Sequence, residues 1–297
     1  MTVLGQIAIA AGMPSLARIV TSWQPGIAVL AGCGLAAALY ALAVTRRRRP
    51  WPPQRTLAFA LGLIAVVVSL DSGLDLYGDQ LASVHMVQHL ALTLVAAPLL
   101  AAGAPLALAL GATRGAARAR LVSVIASPPV RALTQPLGCW LLFVGTIVGW
   151  HLSPLYNLSL GHPLLHDLEH LLLLVTAVLF WAQVLRVDPL PHPLGPLGRL
   201  LYLLAAMPAM SVIGVWLVVS RALRYPAYAA PARALGISAL HDQHLAGVIM
   251  WGGDALLGVI TLVIACRALL QEERRAAARD SYREAGGSPV EIGGAAP

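Results

Sequence analysis

The chain has 297 residues, of which 58% are hydrophobic and 11% charged, and its mean hydropathy is +0.76. Values of this kind exclude an ordinary soluble domain and describe a multi-spanning membrane protein. The net charge of +7 comes with 20 basic residues, all arginine and clustered between apolar runs, so it carries topological information and does not describe a nucleic-acid surface.

Residues 1–22 read as an extracytoplasmic N-terminal segment. Residues 3–20 are apolar apart from Gln6, Ser15 and Arg18, lack a basic start and contain Pro14, which predicts an interfacial helix in preference to a cleaved signal peptide. Seven apolar stretches follow within residues 23–270, at about 26–45, 56–73, 84–110, 132–151, 165–185, 199–220 and 243–266. Each approaches the roughly 20 residues needed to cross a bilayer, so the predicted fold is all-α, an integral membrane bundle of seven transmembrane helices. A short interfacial helix is expected over 114–126, and a cytoplasmic tail, largely disordered, over 271–297. Sixteen arginines follow spans one, three, five and seven, against four on the other side, Arg18, Arg221, Arg224 and Arg233. The positive-inside rule then sets the N-terminus outside and the C-terminus in the cytoplasm. Cys33, Cys139 and Cys266 are isolated, and indicate neither a disulfide framework nor a thiolate metal cage.

With that topology, eight of the nine histidines lie at or near the outer ends of spans, and His192 alone lies in a cytoplasmic loop. His85 and His89 open span three, His151 closes span four, His162, His166 and His170 open span five, and His241 and His244 open span seven. The i,i+4 and i,i+3 pairs put two rings on one helix face within a turn. Acids gather at the same level: Asp71, Asp75 and Asp79 recur every fourth residue, with Asp167, Glu169 and Asp242 beside the later histidines. Ionisable groups near hydrocarbon cost roughly 2.5–3.5 kcal/mol each at a helix centre, so a concentration of them marks a pathway or a site. Asp254 lies about 15 Å below His244 at helical rise and is expected to face the bundle interior, paired or neutral.

Three chemistries fit such a cluster. Imidazoles bind copper, zinc, iron or nickel, and spacing alone does not separate them. Two facing histidines can ligate haem. The run "HDLEH" (166–170) also matches the H-x-x-E-H zinc-hydrolase pattern; on a helix, however, Glu169 projects about 100° away from His170. A catalytic zinc needs three protein ligands and an open position; a surplus of imidazoles suits a metal in transit.

Several motifs are more specific. "SWQPG" leading to "LYALAVTRRRR", "HMVQHLALTLVAAPLLAAGAPL", "GWHLSPLYNLSLGHPLLHDLEH" with its apolar continuation, and "DQHLAGVIMWGGDALL" together resemble the CtaG family of cytochrome c oxidase assembly factors, over about residues 23–266. The resemblance implies a multi-pass protein of the bacterial plasma membrane, without catalytic turnover, that helps mature a haem–copper oxidase by handling copper at the outer face. Its implied partners are the oxidase subunits, an extracytoplasmic copper chaperone and the lipid bilayer, with no nucleic acid. The expected metal ligands are His85, His89, His151, His166, His170, His241, His244, Asp71 and Asp75, gathered chiefly from spans three, five and seven. Copper is the expected, transiently bound ion, with zinc and haem as alternatives. Among methionines, Met13 and Met86 are the outer thioethers, while Met207 and Met210 read as packing residues of span six.

Overall fold

The computed structural model describes residues 14–190 and 192–284; the first part of the N-terminal segment and the end of the tail lie outside them. The described chain is helical throughout, with no strand. Six helices are long and apolar enough to cross a membrane: Ile27–Arg46, Pro53–Asp71, Ala82–Ala112, Pro163–Leu185, Pro196–Val219 and Ala239–Arg267. Taken as one broken span, the bent pair Pro128–Thr134 and Pro136–His151, whose axes differ by 68°, makes a seventh. The bend has a local cause. Pro136 disfavours a helical residue before it, and Gln135 is extended at φ −72°, ψ 158°.

The first span is peripheral, with Tyr40 its one buried residue among those described. Its two ends are tied down. At the histidine end, the Gly26 N–H donates to Asp71 Oδ1 at 3.0 Å and the Gln24 N–H to the Asp71 carbonyl at 2.8 Å. At the arginine end, the Tyr40 hydroxyl donates to the Gly103 carbonyl at 2.8 Å, and Tyr40 stacks on Phe59 of the second span. The core sits among spans three to seven, around Phe143, Phe180, Trp181, Leu203, Ile213 and Met250. Leucines and valines cover the lipid-facing sides of the helices. Because lipid is as apolar as such a core, close backbone approach and polar contacts must supply specificity. The sixth and seventh spans do this with glycine: a Cβ on Gly247 would lie 2.6 Å from the Gly214 carbonyl oxygen.

The third span changes pitch. After Ala82–Leu90 it widens into a π-helix, Ala91–Ala96, and then returns to α over Ala97–Ala102. Such wide turns expose backbone groups and recur beside functional sites. Here the Thr93 hydroxyl donates to the His89 carbonyl at 2.7 Å, and the Trp181 indole N–H of the fifth span donates to the Thr93 carbonyl at 2.7 Å.

Three expectations meet the structure here. The helix expected over 114–126 is present as Gly115–Ala126. A six-residue helix, Leu16–Thr21, occupies the described part of the N-terminal segment. The last helix continues to Glu284, beyond residue 271 where disorder was expected, and residues 285–297 lie outside the described chain. The sequence "QEERRAAAR" explains the extension, since Ala, Glu, Gln and Arg are strong helix formers that need no buried face.

Asp254 is buried, and its Oδ2 accepts the Ser211 hydroxyl of the sixth span, an interhelical partner of the expected kind. Its Oδ1 has no hydrogen-bond partner. Asp254→Asn should therefore keep the thermal midpoint in detergent near that of the parent, because an amide oxygen still accepts from Ser211. Asp254→Leu should lower it, leaving a buried hydroxyl unpaired at a cost of about 1–3 kcal/mol; equal midpoints for both variants would make the contact incidental.

Candidate metal centre

The site grows from two parallel helix openings. On the third span, His85 and His89 stand one turn apart and are 0% and 5% exposed. On the fifth, Pro163 starts the helix and His166 and His170 repeat the spacing. The two faces meet ring to ring, His85 against His170 at 5.3 Å and His89 against His170 at 5.3 Å between centroids. Nε2 of His85 and Nε2 of His89 lie 2.7 Å apart. One ligand nitrogen from each of His85, His89 and His170 falls within 4.8 Å of the others. Nitrogens sharing a tetrahedral ion at about 2.0–2.1 Å would lie about 3.3 Å apart, so these separations bracket a shared ion.

Two more histidines border this triad. His166 stacks on His85 at 5.2 Å and turns Nδ1 toward Asp79 Oδ1 at 3.6 Å. His151, closing the fourth span, packs edge-on to His89 at 5.4 Å. The cluster is short of hydrogen bonds: His89 Nδ1 and the Nε2 atoms of His151, His166 and His170 are all buried without a partner. Buried polar atoms are almost always paired, because an unmade bond costs about 1–3 kcal/mol. Unpaired ring nitrogens gathered in one place form a donor set of the kind that could hold a metal ion.

Around the rings lies a polar shell that the sequence only half revealed. Glu169 is fully buried; its Oε2 accepts the Ser159 hydroxyl at 2.7 Å, and its Oε1 lies 3.5 Å from His89 Nε2. Gln88 donates to Asp75 Oδ1 at 2.9 Å and to the Ser69 carbonyl at 3.0 Å. Burial pushes the Asp75 carboxyl up to about 6, against the opposing Gln88 hydrogen bond, with the carboxylate of Asp79 adding to the rise. Tyr156 closes the cluster, stacked on His151 at 5.4 Å and hydroxyl to hydroxyl with Tyr228 at 3.0 Å. Burial holds its phenol well above the ordinary range, hence protonated. Tyr156 and Ser159 were missed as site neighbours, although Tyr156 stands within the Trp-His-x-x-Pro-Leu-Tyr motif.

The remaining expected ligands stand in other contacts. Asp71 anchors the first span through Gly26 and Gln24. Asp75 reaches the cluster from behind, through Gln88. His244 Nε2 is bonded to the Ser220 carbonyl at 2.9 Å, and His241 is exposed. The seventh span instead contributes Asp242, which accepts the hydroxyl and the N–H of Ser83 at the start of the third span.

A family model for the cytochrome c oxidase caa3 assembly factor (Caa3_CtaG) matches residues 38–272. The chain belongs to the CtaG family. The match takes in all seven crossings except the beginning of the first, and every histidine described above. Two mycobacterial relatives of this CtaG protein are uncharacterized proteins. That of Mycobacterium bovis is 30% identical over 281 residues, which are 90% of this chain and 42% of the relative. That of Mycobacterium leprae is 28% identical over 280 residues, with the same coverage. The CtaG chain thus spans less than half the length of the curated relatives it matches. No solved structure matches it.

Proposed function

We propose that this CtaG-family protein assists cytochrome c oxidase assembly by binding copper as cargo at the histidine end of the bundle and delivering it to an oxidase subunit. The observation that carries the reading is the triad His85, His89 and His170, three buried imidazoles from two helices with their ligand atoms within 4.8 Å. Imidazole is a ligand suited to copper, and no carboxylate is needed to complete such a set. His151 and His166 border the triad with unpaired nitrogens of their own, so an ion has neighbouring sites to move between. Glu169, held by Ser159, places a carboxyl beside His89. Ring-to-ring contact, with centroids 4.2–5.4 Å apart, favours a bare ion over a haem plate. Against zinc hydrolysis through "HDLEH" stands the ligand set itself, which takes only His170 from that motif.

Metal analysis of detergent-purified protein tests this directly: copper should be retained by the parent chain, and its content should fall on His85→Ala. A copper-free parent, or one carrying stoichiometric haem, would overturn it.

The same reading requires the cluster to face away from the cytoplasm in the bacterial plasma membrane, as the arginine distribution implies. A reporter fused after Arg283 should be active only as a cytoplasmic form, and one inserted near Pro231 only as an external form. The reverse pair of signals would put the histidines on the wrong side to serve an outward-facing copper centre.

A further inference from the structure

Beside the histidines lies a cavity of about 20 Å³, room for a single water-sized occupant. Three methionines from three helices line it, Met86 of the third span, Met210 of the sixth and Met250 of the seventh, together with His89 and His151. All three methionines are buried, with 1%, 3% and 4% of their surface exposed. The chain has six methionines in all, so half of them border one ion-sized void, and leucine would fill an apolar core with better-defined rotamers.

His151 is oriented for a ligand. Its Nδ1 lies 2.8 Å from the Ile147 carbonyl oxygen, and a carbonyl can only accept, so Nδ1 carries the proton. The lone pair is therefore on Nε2, which is buried and without a hydrogen-bond partner. Thioether sulfur is a soft donor that selects Cu(I), and imidazole accepts the same ion. No carboxylate is among the lining residues, which suits a monovalent charge.

We propose that this cavity is a second metal site, specific for a soft monovalent cation, in which the sulfurs of Met86, Met210 and Met250 and Nε2 of His151 hold Cu(I). The site deepens the copper reading above and rests on it. His89 belongs to both the triad and the cavity wall, so one imidazole links the two positions. No redox step is involved, since the ion enters and leaves as Cu(I).

The full-length protein in detergent would be titrated anaerobically with Cu(I) against a chromophoric Cu(I) chelator, and its copper-edge X-ray absorption recorded. Met210→Leu and Met250→Leu conserve volume. Each should weaken Cu(I) binding about tenfold or more, and the pair should remove sulfur scattering, while Zn(II) binding to the triad stays unchanged. His85→Ala, which leaves the cavity wall intact, should lose Zn(II) and keep the sulfur signal. Nitrogen-only scattering in the parent, or a double leucine variant within twofold of the parent, would overturn the second site and leave the triad standing. Normal oxidase assembly in His85→Ala would instead overturn the copper-delivery reading.

Discussion

His89→Ala and His170→Ala should each lower the copper affinity of the triad about tenfold or more, with the polypeptide still present in the membrane. Loss even of groups that only support a ligand typically costs 10- to 100-fold in metal affinity, and these two rings come from different helices to the same few ångströms. Ligands to one ion are energetically coupled, so the double variant should fall by less than the product of the singles. Cells carrying either variant should lose mature oxidase activity, and added copper should partly restore it, since weakened binding is answered by mass action. His241→Ala is the matched control. It removes a histidine of the same end of the bundle that is exposed, and should leave both copper content and oxidase activity near the parent values. Equal losses in all three variants would show that the histidines act through general charge, and stoichiometric copper in all three would dismiss the site.

Gly247→Leu should be strongly disruptive. A Cβ there would stand 2.6 Å from the Gly214 carbonyl oxygen, 2.8 Å from Val218 Cγ2 and 3.0 Å from Leu217 Cβ. Backbone and β-carbons cannot swing aside as a flexible side-chain tip can. The sixth and seventh helices must move apart, and overpacking of this kind costs about 1–3 kcal/mol, occasionally more, at an interface whose affinity depends on close approach. Loss of Met210 and Met250 from their shared cavity would follow. Gly252→Ala, five residues on in the same helix, meets nothing within 4 Å and should be neutral or stabilising by up to about 1 kcal/mol from helix propensity. Thermal scans of the two variants in the same detergent give the comparison; similar midpoints would mean that the glycine contact does not hold the pair.

Length and hydropathy made the spans legible, because a crossing helix needs little more than about 20 apolar residues. Pro136 was equally visible, yet a proline says that a helix is interrupted and not by what angle, so the size of the 68° bend was not legible. Depth was legible too, since histidines at helix openings must share a level. Azimuth across the bundle was not. Helical spacing states which residues share a face of one helix, and nothing local states which helix that face meets. For this reason His85, His89 and His170 converge, whereas His244, at the same level, turns to Ser220. The same gap hid Met210, whose neighbours in the chain are apolar and whose partners Met86 and Met250 are distant in sequence. Tyr156 and Ser159 escaped notice because a five-residue helix, Leu155–Ser159, carries no periodic signal.

The bond from the Trp181 indole to the Thr93 carbonyl, at 2.7 Å, has a mechanical consequence. It pins the third span to the fifth below the rings, at the wide turn where the ladder of the third span has a carbonyl to spare. The two helices that carry His85, His89 and His170 are thereby made a single rigid jaw. The fourth span is clasped to the fifth in its turn, at the far end from the rings, where the Gln183 side-chain amide donates to the Thr134 carbonyl at 2.7 Å. In the copper reading proposed above, the spacing of the ligands would then be fixed by a clasp that touches none of them.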